Sequence, residues 1–568
     1  MAKPLIISNP QIGIGSSPHL GIGDVRNLDL FKIPGVAVLN NLLAKKSGTT
    51  VTGLIQWMVK NPTTPAQVYA LDNAGVLYKS TDSGATWALV TGNTVTVTIA
   101  SPAVFSATAH GLLENDTVVF ATTGALPTGL TAGTTYYVIA AGLTADAFEV
   151  STSQGGAAVN TSGSQSGTHT FRITTNANGN GLAIWKDYLF VARNGYLDVY
   201  GSLTSGLTWT NNWKAIDSDA LWHPMINSKN DNKLYGGADK YVFSLDEASG
   251  QTYAPATAAS YTWTSQALDL PSSYRVKCLA ELGDYLMIGT WQGTNIYDLE
   301  IADIFPWDRS SSSFIKPVQL NENGINAMLT IGNVLYVLAG IGGTIYKTDG
   351  INVYPIAQIP NSISDLSGGK YLETYPGAII NYKGRLFFGI SGGGTNAIDG
   401  MGVWSLKETS KGTILNLEHV ISSGNYGASN VLKIGSLLKM SRDELLAGWR
   451  DSSNYGIDLT TNTSYVTSYA GYFESPLYQV GTILKPRTFS QLDLQLVKEL
   501  AANEGVIVKY RVNLTDSFTT IGTYDFTALG AVISHNAACK IPACEFIQIS
   551  CSLTGSTTSP EFKNLILS

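Results

Sequence analysis

An all-β chain built around a β-propeller of about seven blades is what the sequence predicts, and three observations predict it. Helical periodicity is almost absent: short runs rich in Val, Ile, Tyr, Phe and Thr alternate with clusters of Gly, Asn, Asp and Ser. A hairpin-like unit recurs about every fifty residues, the length of a four-stranded propeller blade. Only 14% of the residues are Asp, Glu, Lys or Arg, while 44% are hydrophobic and 58 are glycine, against roughly 25% charged in an ordinary soluble domain. Such a chain hides much of its surface, and the same bias excludes general disorder.

Each copy of the unit is an apolar strand, a Gly-containing turn and a second strand with an aromatic near its end. The copies are Val68-Tyr69-Ala70 with Leu77-Tyr78, Leu189-Phe190-Val191-Ala192 with Val199-Tyr200, and Leu234-Tyr235-Gly236-Gly237 with Val242-Phe243. Leu286-Met287-Ile288-Gly289 with Ile296-Tyr297, Leu335-Tyr336-Val337-Leu338 with Ile345-Tyr346, Leu386-Phe387-Phe388-Gly389 with Val403-Trp404, and Leu445-Leu446-Ala447-Gly448 with Tyr455-Gly456-Ile457 complete the series. Seven copies predict seven blades, with six or eight as the neighbouring solutions. The small residue after the apolar run fits an inner strand crowded near the axis. Solenoids have shorter periods and single coils rather than hairpins.

Ser80-Thr81-Asp82-Ser83-Gly84-Ala85-Thr86-Trp87 resembles the Asp-box of sialidase-like and related propellers. Asp82 is placed to accept backbone N–H bonds in the turn, Gly84 to take a positive φ, and Trp87 to cover the hairpin. The functional assignment for Ser80, Asp82, Gly84, Thr86 and Trp87 is therefore a structural turn. A degenerate copy, Ser202-Leu203-Thr204-Ser205-Gly206-Leu207-Thr208-Trp209, has Thr204 in place of the Asp. In those families the box lies at blade turns, away from any active site.

The gap between the first two copies exceeds a blade, which places an insertion over 94–173. Within it, Ala107-Thr108-Ala109-His110-Gly111-Leu112, Asp116-Thr117-Val118-Val119-Phe120 and Thr123-Gly124-Ala125-Leu126-Pro127-Thr128-Gly129-Leu130 follow one another. Thr134-Thr135-Tyr136-Tyr137-Val138, Phe148-Glu149-Val150-Ser151-Thr152-Ser153 and Gly167-Thr168-His169 come next. This order resembles a small β-domain recurrent in phage virion proteins. The segment 465–568, opening Gly471-Tyr472-Phe473-Glu474-Ser475-Pro476, resembles the β-sandwich that closes many phage tail propeller proteins. Gly13-Ile14-Gly15, Gly21-Ile22-Gly23 and Pro34-Gly35-Val36 are similar to the opening of tail nozzle (tail tubular) proteins of short-tailed phages. The expected organisation is an N-terminal arm with first strands over 1–50, propeller over 51–93 and 174–464, inserted domain over 94–173, and sandwich over 465–568.

The resemblance implies a structural virion protein, assembled in the host cytoplasm and located in the tail. It implies a homohexameric nozzle ring at the tail's distal end that conducts DNA during genome ejection. Partners implied are further copies of the chain, an upstream tail adaptor protein, tail fibre or spike proteins, genomic DNA passing without specific binding, and the host surface. The alternatives are a receptor-binding adhesin or fibre protein, for which the 28 tyrosines and 11 tryptophans would supply sugar-stacking platforms, and a sialidase-like hydrolase.

The residues argue against enzymes. Sialidase chemistry needs three convergent arginines, a Tyr–Glu pair and an acid/base carboxyl. The arginines here are spread along the chain, and Phe171-Arg172-Ile173-Thr174 follows the box, without the proline of the sialidase motif. Asp298 with Glu300 and Glu499 with Glu504 pair as any acidic sequence supplies them. No Gly-x-Ser-x-Gly, P-loop or His-Glu-x-x-His occurs, so we expect no enzyme activity, no catalytic residue and no cofactor. The histidines His19, His110, His169, His223, His419 and His535 read as structural. Cys544 and Cys551, read as one strand at odd spacing, point to opposite faces, so with Cys278, Cys539 and His535 they predict no metal site. A net charge of −7 without a Lys/Arg cluster along the chain argues against capture of a nucleic-acid backbone. Met1-Ala2-Lys3-Pro4-Leu5 opens without a secretory pattern.

Overall fold

The computed structural model describes residues 4–8, 24–33, 36–90, 92–174, 180–193, 195–204, 208–217, 222–292, 302–359, 371–393, 401–409, 412–420, 432–451, 454–465, 467 and 470–568. Six four-stranded antiparallel sheets, and a seventh four-stranded unit that forms part of an eleven-stranded sheet, make up a β-propeller. Blades 1 to 6 occupy 55–89, 181–215, 225–269, 274–320, 325–358 and 379–419. Blade 7 takes three strands from 432–465 and its fourth, Asn41–Lys45, from the beginning of the chain. The ring is thus closed by a strand borrowed from far away in sequence.

Each blade is apolar on both faces, which explains the continuous hydrophobic runs in place of alternation. Strand pleating sends successive side chains to opposite neighbours. In blade 1, Val68 and Ala70 enter the core shared with blade 7, while Tyr69 and Leu71 enter the core shared with blade 2. The same parity in blade 4 sends Met287 towards blade 5 and Leu286 and Ile288 towards blade 3. Seven such cores, one per seam, run round the ring.

The recurring apolar runs are the second strands of the blades, not the innermost ones. Their small residues are nevertheless required: a Cβ at Gly448 would come within 2.7 Å of Ile55 on the inner strand of blade 1, and one at Gly289 within 2.8 Å of Ile325 on that of blade 5. Crowding arises from inner strands, the next blade's in both cases and, at Gly289, also its own blade's through Cys278 at 2.5 Å. Ile296 and Tyr297 lie outside the described residues, and the third strand of blade 4 is Ala302–Trp307. Gly13-Ile14-Gly15, Gly21-Ile22-Gly23 and Pro34-Gly35 also lie outside them.

The insertion is a closed six-stranded barrel running from Asn93–Val97 to His169–Thr174. Phe105, Phe120, Phe148 and Phe171 fill it. It is seated on blade 2: the Asn211 side-chain amide donates to the His110 carbonyl at 2.9 Å, and that of Asn212 donates to the Gly111 carbonyl at 3.0 Å and to Asp116 at 2.8 Å.

The described strands of the first fifty residues belong to the sandwich and the propeller. Leu5–Ser8, Leu28–Ile33 and Val36–Leu39 join Arg487–Leu496, Ser534–Cys544 and Phe562–Leu567 in one sheet of the terminal sandwich. Asp24–Arg26 pairs in parallel with the outer strand of blade 6 at Leu417 and antiparallel with Gly471–Glu474, so blade 6 continues into the second sandwich sheet. The unpaired outer edge of that blade is covered, and propeller and sandwich become one hydrogen-bonded body. Cys544 and Cys551 do not share a strand. The chain turns at Glu545, and the two sulfurs enter the same sandwich core from opposite sheets.

The closing strand brings Lys45 opposite Asp458. Burial pushes the Asp458 carboxyl up to about 6, against the opposing effects of a 2.6 Å hydrogen bond from the Trp449 indole and the charge of Lys45. Above that pH the folded chain carries a buried carboxylate, whereas below about 4 neither folded nor unfolded chain is ionised there. Asp458→Asn, which keeps an acceptor for Trp449, is expected to stabilise the protein by about 1–3 kcal/mol at pH 8. The gain should shrink as pH falls through 6 and vanish below about 4, as read by denaturant unfolding at each pH.

Candidate functional site at the channel mouth

The Asp-box occupies the turn between the third and fourth strands of blade 1. Asp82 accepts from the Thr86 amide at 2.8 Å, from its hydroxyl at 2.6 Å and from the Ser80 hydroxyl at 2.8 Å, while Ser80 Oγ accepts from the Gly84 amide at 2.9 Å. Slight burial works to raise the Asp82 carboxyl, but the Thr86 and Ser80 bonds overcome it and hold it below the usual range. Gly84 has φ +88°, and a Cβ there would meet Leu446 of blade 7 at 2.7 Å. Trp87 donates to the Gly84 carbonyl at 3.1 Å and is buried with Leu446, Ile457 and Leu459 of blade 7. The five residues read from the sequence therefore come together as a clasp on the seam where the ring closes.

The degenerate box is repaired from a neighbouring turn. Asp187, between the first two strands of blade 2, accepts from the Ser202 hydroxyl at 2.5 Å and from the Thr204 hydroxyl at 2.6 Å. The carboxylate missing at 204 is supplied 17 positions upstream; Ser205, Gly206 and Leu207 lie outside the described residues.

Antiparallel topology puts these turns on one face of the disc, while the second-to-third turns and the inter-blade connections lie on the other. On that opposite face a cavity of about 320 Å³ is lined by Gln56, Trp222, Trp291, Glu373, Tyr375, Lys433 and Arg450, among others, and Trp291, Tyr371 and Glu373 also line an adjoining pocket with Lys277. These residues come from blades 1, 4 and 7 and from the connections ahead of blades 3 and 6. No short sequence motif links them, which is why reading along the chain missed them.

The chemistry at the mouth is aromatic and cationic. The Lys277 ammonium is buried over the Trp222 and Trp291 rings, 5.5 and 5.7 Å from their centroids, and donates to Asn326 Oδ1 at 2.8 Å. Burial lowers its pKa, opposed by Glu373. Lys433 donates to the Tyr375 hydroxyl at 3.2 Å and stands 3.7 Å from Glu373. Burial raises the Tyr375 phenol well above its ordinary value. Gln56 is 3% exposed, and its side-chain oxygen accepts no hydrogen bond from the described residues. Indole faces, fixed cations and an amide waiting for a donor make a surface suited to a polyhydroxylated ligand.

The other residues singled out in the sequence lie elsewhere. His110, His169, His223 and His419 are buried in packing; burial pushes His223 down to about 4 and His419 to about 3. His19, Asp298 and Glu300 fall outside the described residues. Glu504 accepts from the Ala501 amide at 3.0 Å in its own loop. Among the described residues no three metal-ligating side chains cluster.

No family model and no curated protein matches the chain. Among solved structures it is similar to YCF48 bound to D1 peptide, at 10% identity and TM-score 0.38 over 76% of this chain and 96% of that one. It is also similar to the β-propeller domain of Myceliophteria thermophila Cps50 (Swd1), at 9% identity and TM-score 0.36 over 72% and 97%. A third is the exo-beta-1,3-galactanase of Phanerochaete chrysosporium with galactose, at 10% identity and TM-score 0.26 over 70% and 96%. At such identities the likeness concerns architecture alone, and the blade count rests on the strand pairing.

Asp82→Ala is expected to lower stability by about 1 kcal/mol, since exposed charge-assisted bonds are screened. Asp187→Ala should act in the same direction through the second box. Differential scanning calorimetry of both variants would check this; unchanged melting for both would remove the clasp.

Proposed function

We propose that the chain is a structural virion protein of a bacteriophage tail, the distal nozzle of a short-tailed phage, assembling as a six-membered ring that conducts DNA during genome ejection. What carries the reading is the resemblance of the inserted 94–173 segment to a virion β-domain, together with its seating on a propeller welded to a sandwich. Such a body transmits load between its parts through hydrogen-bonded sheet rather than linkers. Its neighbours would be further copies, an upstream tail adaptor, and fibre or spike proteins, with DNA passing through unbound and the host surface ahead.

An exposed apolar tip supports assembly. Ile483 and Leu484 are 84% and 92% exposed on a turn whose flanks, Thr482 and Lys485, bridge to each other. Two adjacent large aliphatic side chains in water suit insertion into a neighbouring subunit. Native mass spectrometry of the purified chain is expected to give a hexamer, and Ile483→Ser/Leu484→Ser to weaken it without changing the melting temperature. A trimer would favour a fibre or spike, and a strictly monomeric chain at tens of micromolar would overturn the ring.

The channel mouth favours a second reading, a receptor-binding adhesin, because Trp222 and Trp291 line an open cavity beside the buried Lys277. On that reading, glycan-array binding should be present in the wild type and lost in Trp291→Ala. Turnover of any bound glycan by the wild type would instead favour a hydrolase.

A further inference from the structure

Six cations that the sequence scatters between Lys32 and Arg442 meet in one cleft of about 660 Å³: Lys32, Lys383, Arg385, Lys407, Lys439 and Arg442. The cleft lies on the clasp side of the propeller. Its walls are the first turns of blades 6 and 7 and the sandwich strand Leu28–Ile33. Reading along the chain finds no basic cluster; the fold makes one.

The acidic groups at its floor are already satisfied. Arg385 is 3% exposed and bridges Glu418 and Asp29, with the Asp29 contact at 3.3 Å and Lys383 a further 3.7 Å from Asp29. Counting Asp29, Glu418 and the rim residue Asp443 against six cations leaves an excess of three positive charges, on a chain whose net charge is −7. Among the described residues no carboxylate lies within 4 Å of the Lys407, Lys439 or Arg442 head groups. Four of the cations stand over aromatic rings, Lys383 over Tyr382 and Arg385 over Phe31 and Phe387 among them. Lys32 sits 5.3 Å from the Tyr465 centroid and donates to its hydroxyl at 3.1 Å, and Lys407 sits 5.1 Å from the Phe31 centroid. Collecting like charges around a recess costs repulsion, and for Lys407, Lys439 and Arg442 no ion pair with a carboxylate of the described residues offsets it.

We propose that this cleft binds a compact oligophosphate, free or borne on a sugar. Lysine ammoniums suit phosphate as point charges, and the guanidinium of Arg442 adds a planar fork for its oxygens. A recess of this volume lies in the range of small-ligand pockets, about 300–1,000 Å³. A nucleic-acid duplex, by contrast, presents a phosphate about every 1.7 Å along a rod and engages a stripe of cations rather than a recess. The site is independent of the channel mouth, on the other face, and of the nozzle and adhesin readings.

Isothermal titration of the full chain at low ionic strength, with inorganic tripolyphosphate and separately with glucose 1,6-bisphosphate, tests it. Saturable binding is expected, weakened at least tenfold in Lys439→Glu/Arg442→Glu and by less in Lys439→Gln/Arg442→Gln. Lys439 ends the first strand of blade 7 and Arg442 lies on the turn that follows, both with exposed side chains, so melting without ligand should be unchanged. Lys316→Glu/Lys540→Glu, outside the cleft, should bind like the wild type. Tighter binding of the bisphosphorylated sugar than of tripolyphosphate would assign the site to a sugar-borne source, and the reverse order to free oligophosphate. Absence of saturable binding to both probes, or binding that survives the charge-reversed pair, would overturn the proposal. So would duplex DNA binding that the pair abolishes while neither probe binds, which would make the cleft a backbone contact instead.

Discussion

A ring of sheets standing side by side leaves neither face of any sheet free for water, and that constraint governs the rest of this molecule. Every blade must be apolar at both parities of its strands, and every seam must be filled. With seven seams there is one that chain order cannot fill locally, between the last blade and the first. The protein fills it twice over. Asn41–Lys45 supplies the missing outer strand of blade 7, and the Asp-box turn of blade 1 lays Trp87 and Gly84 against Leu446 on the same blade. A cyclic arrangement of otherwise local hairpins thereby becomes dependent on contacts between residues some 400 positions apart, whose loop-closure entropy cost exceeds that of a hairpin.

What was legible in the sequence follows from the same constraint. Second strands of blades are the most uniformly buried, so their Leu-aromatic-aliphatic-Gly pattern repeats clearly, and the blade number could be counted from it. Inner and outer strands vary with what the channel, the barrel and the sandwich require of them, and leave no common pattern. The sandwich was harder to delimit. Its sheets combine strands from both ends of the chain, and parallel pairing of Asp24–Arg26 with blade 6 at Leu417 involves a contact that no local periodicity records. Cys544 and Cys551 show the limit of parity arguments: a single turn at Glu545 converts opposite faces of one strand into facing positions on two.

The two boxes show how a motif's chemistry outlives its letters. In blade 1 the carboxylate that organises the turn sits inside the motif, as Asp82. In blade 2 the same hydroxyls find it on Asp187, which reaches across from the adjacent hairpin. A search for Ser-x-Asp-x-Gly-x-Thr-Trp scores the second copy as decayed, whereas the turn needs only an acceptor at the right place in space.

The two faces of the disc are chemically unlike because the chain constrains them differently. On the clasp side, the short turns of blades 6 and 7 meet the sandwich, and Arg385, Asp29 and Glu418 are buried together at that junction. Desolvation works to raise both carboxyls. At Asp29 the charges of Arg385 and Lys383 outweigh it and hold the group low, while Glu418 stays raised, with Asp29 itself adding to the effect of burial. A buried pair of carboxylates around one guanidinium tolerates little rearrangement, since removing any member strands a charge. On the mouth side, inter-blade connections carry no such obligation to pack. Their side chains converge from several blades on the axis, and of the aromatic residues gathered there Tyr375 also enters the core between blades 6 and 7, with Trp222 packed against it. Architecture thus sorts the molecule into a face where closure buries charge against the sandwich and a face where the inter-blade connections gather aromatic side chains.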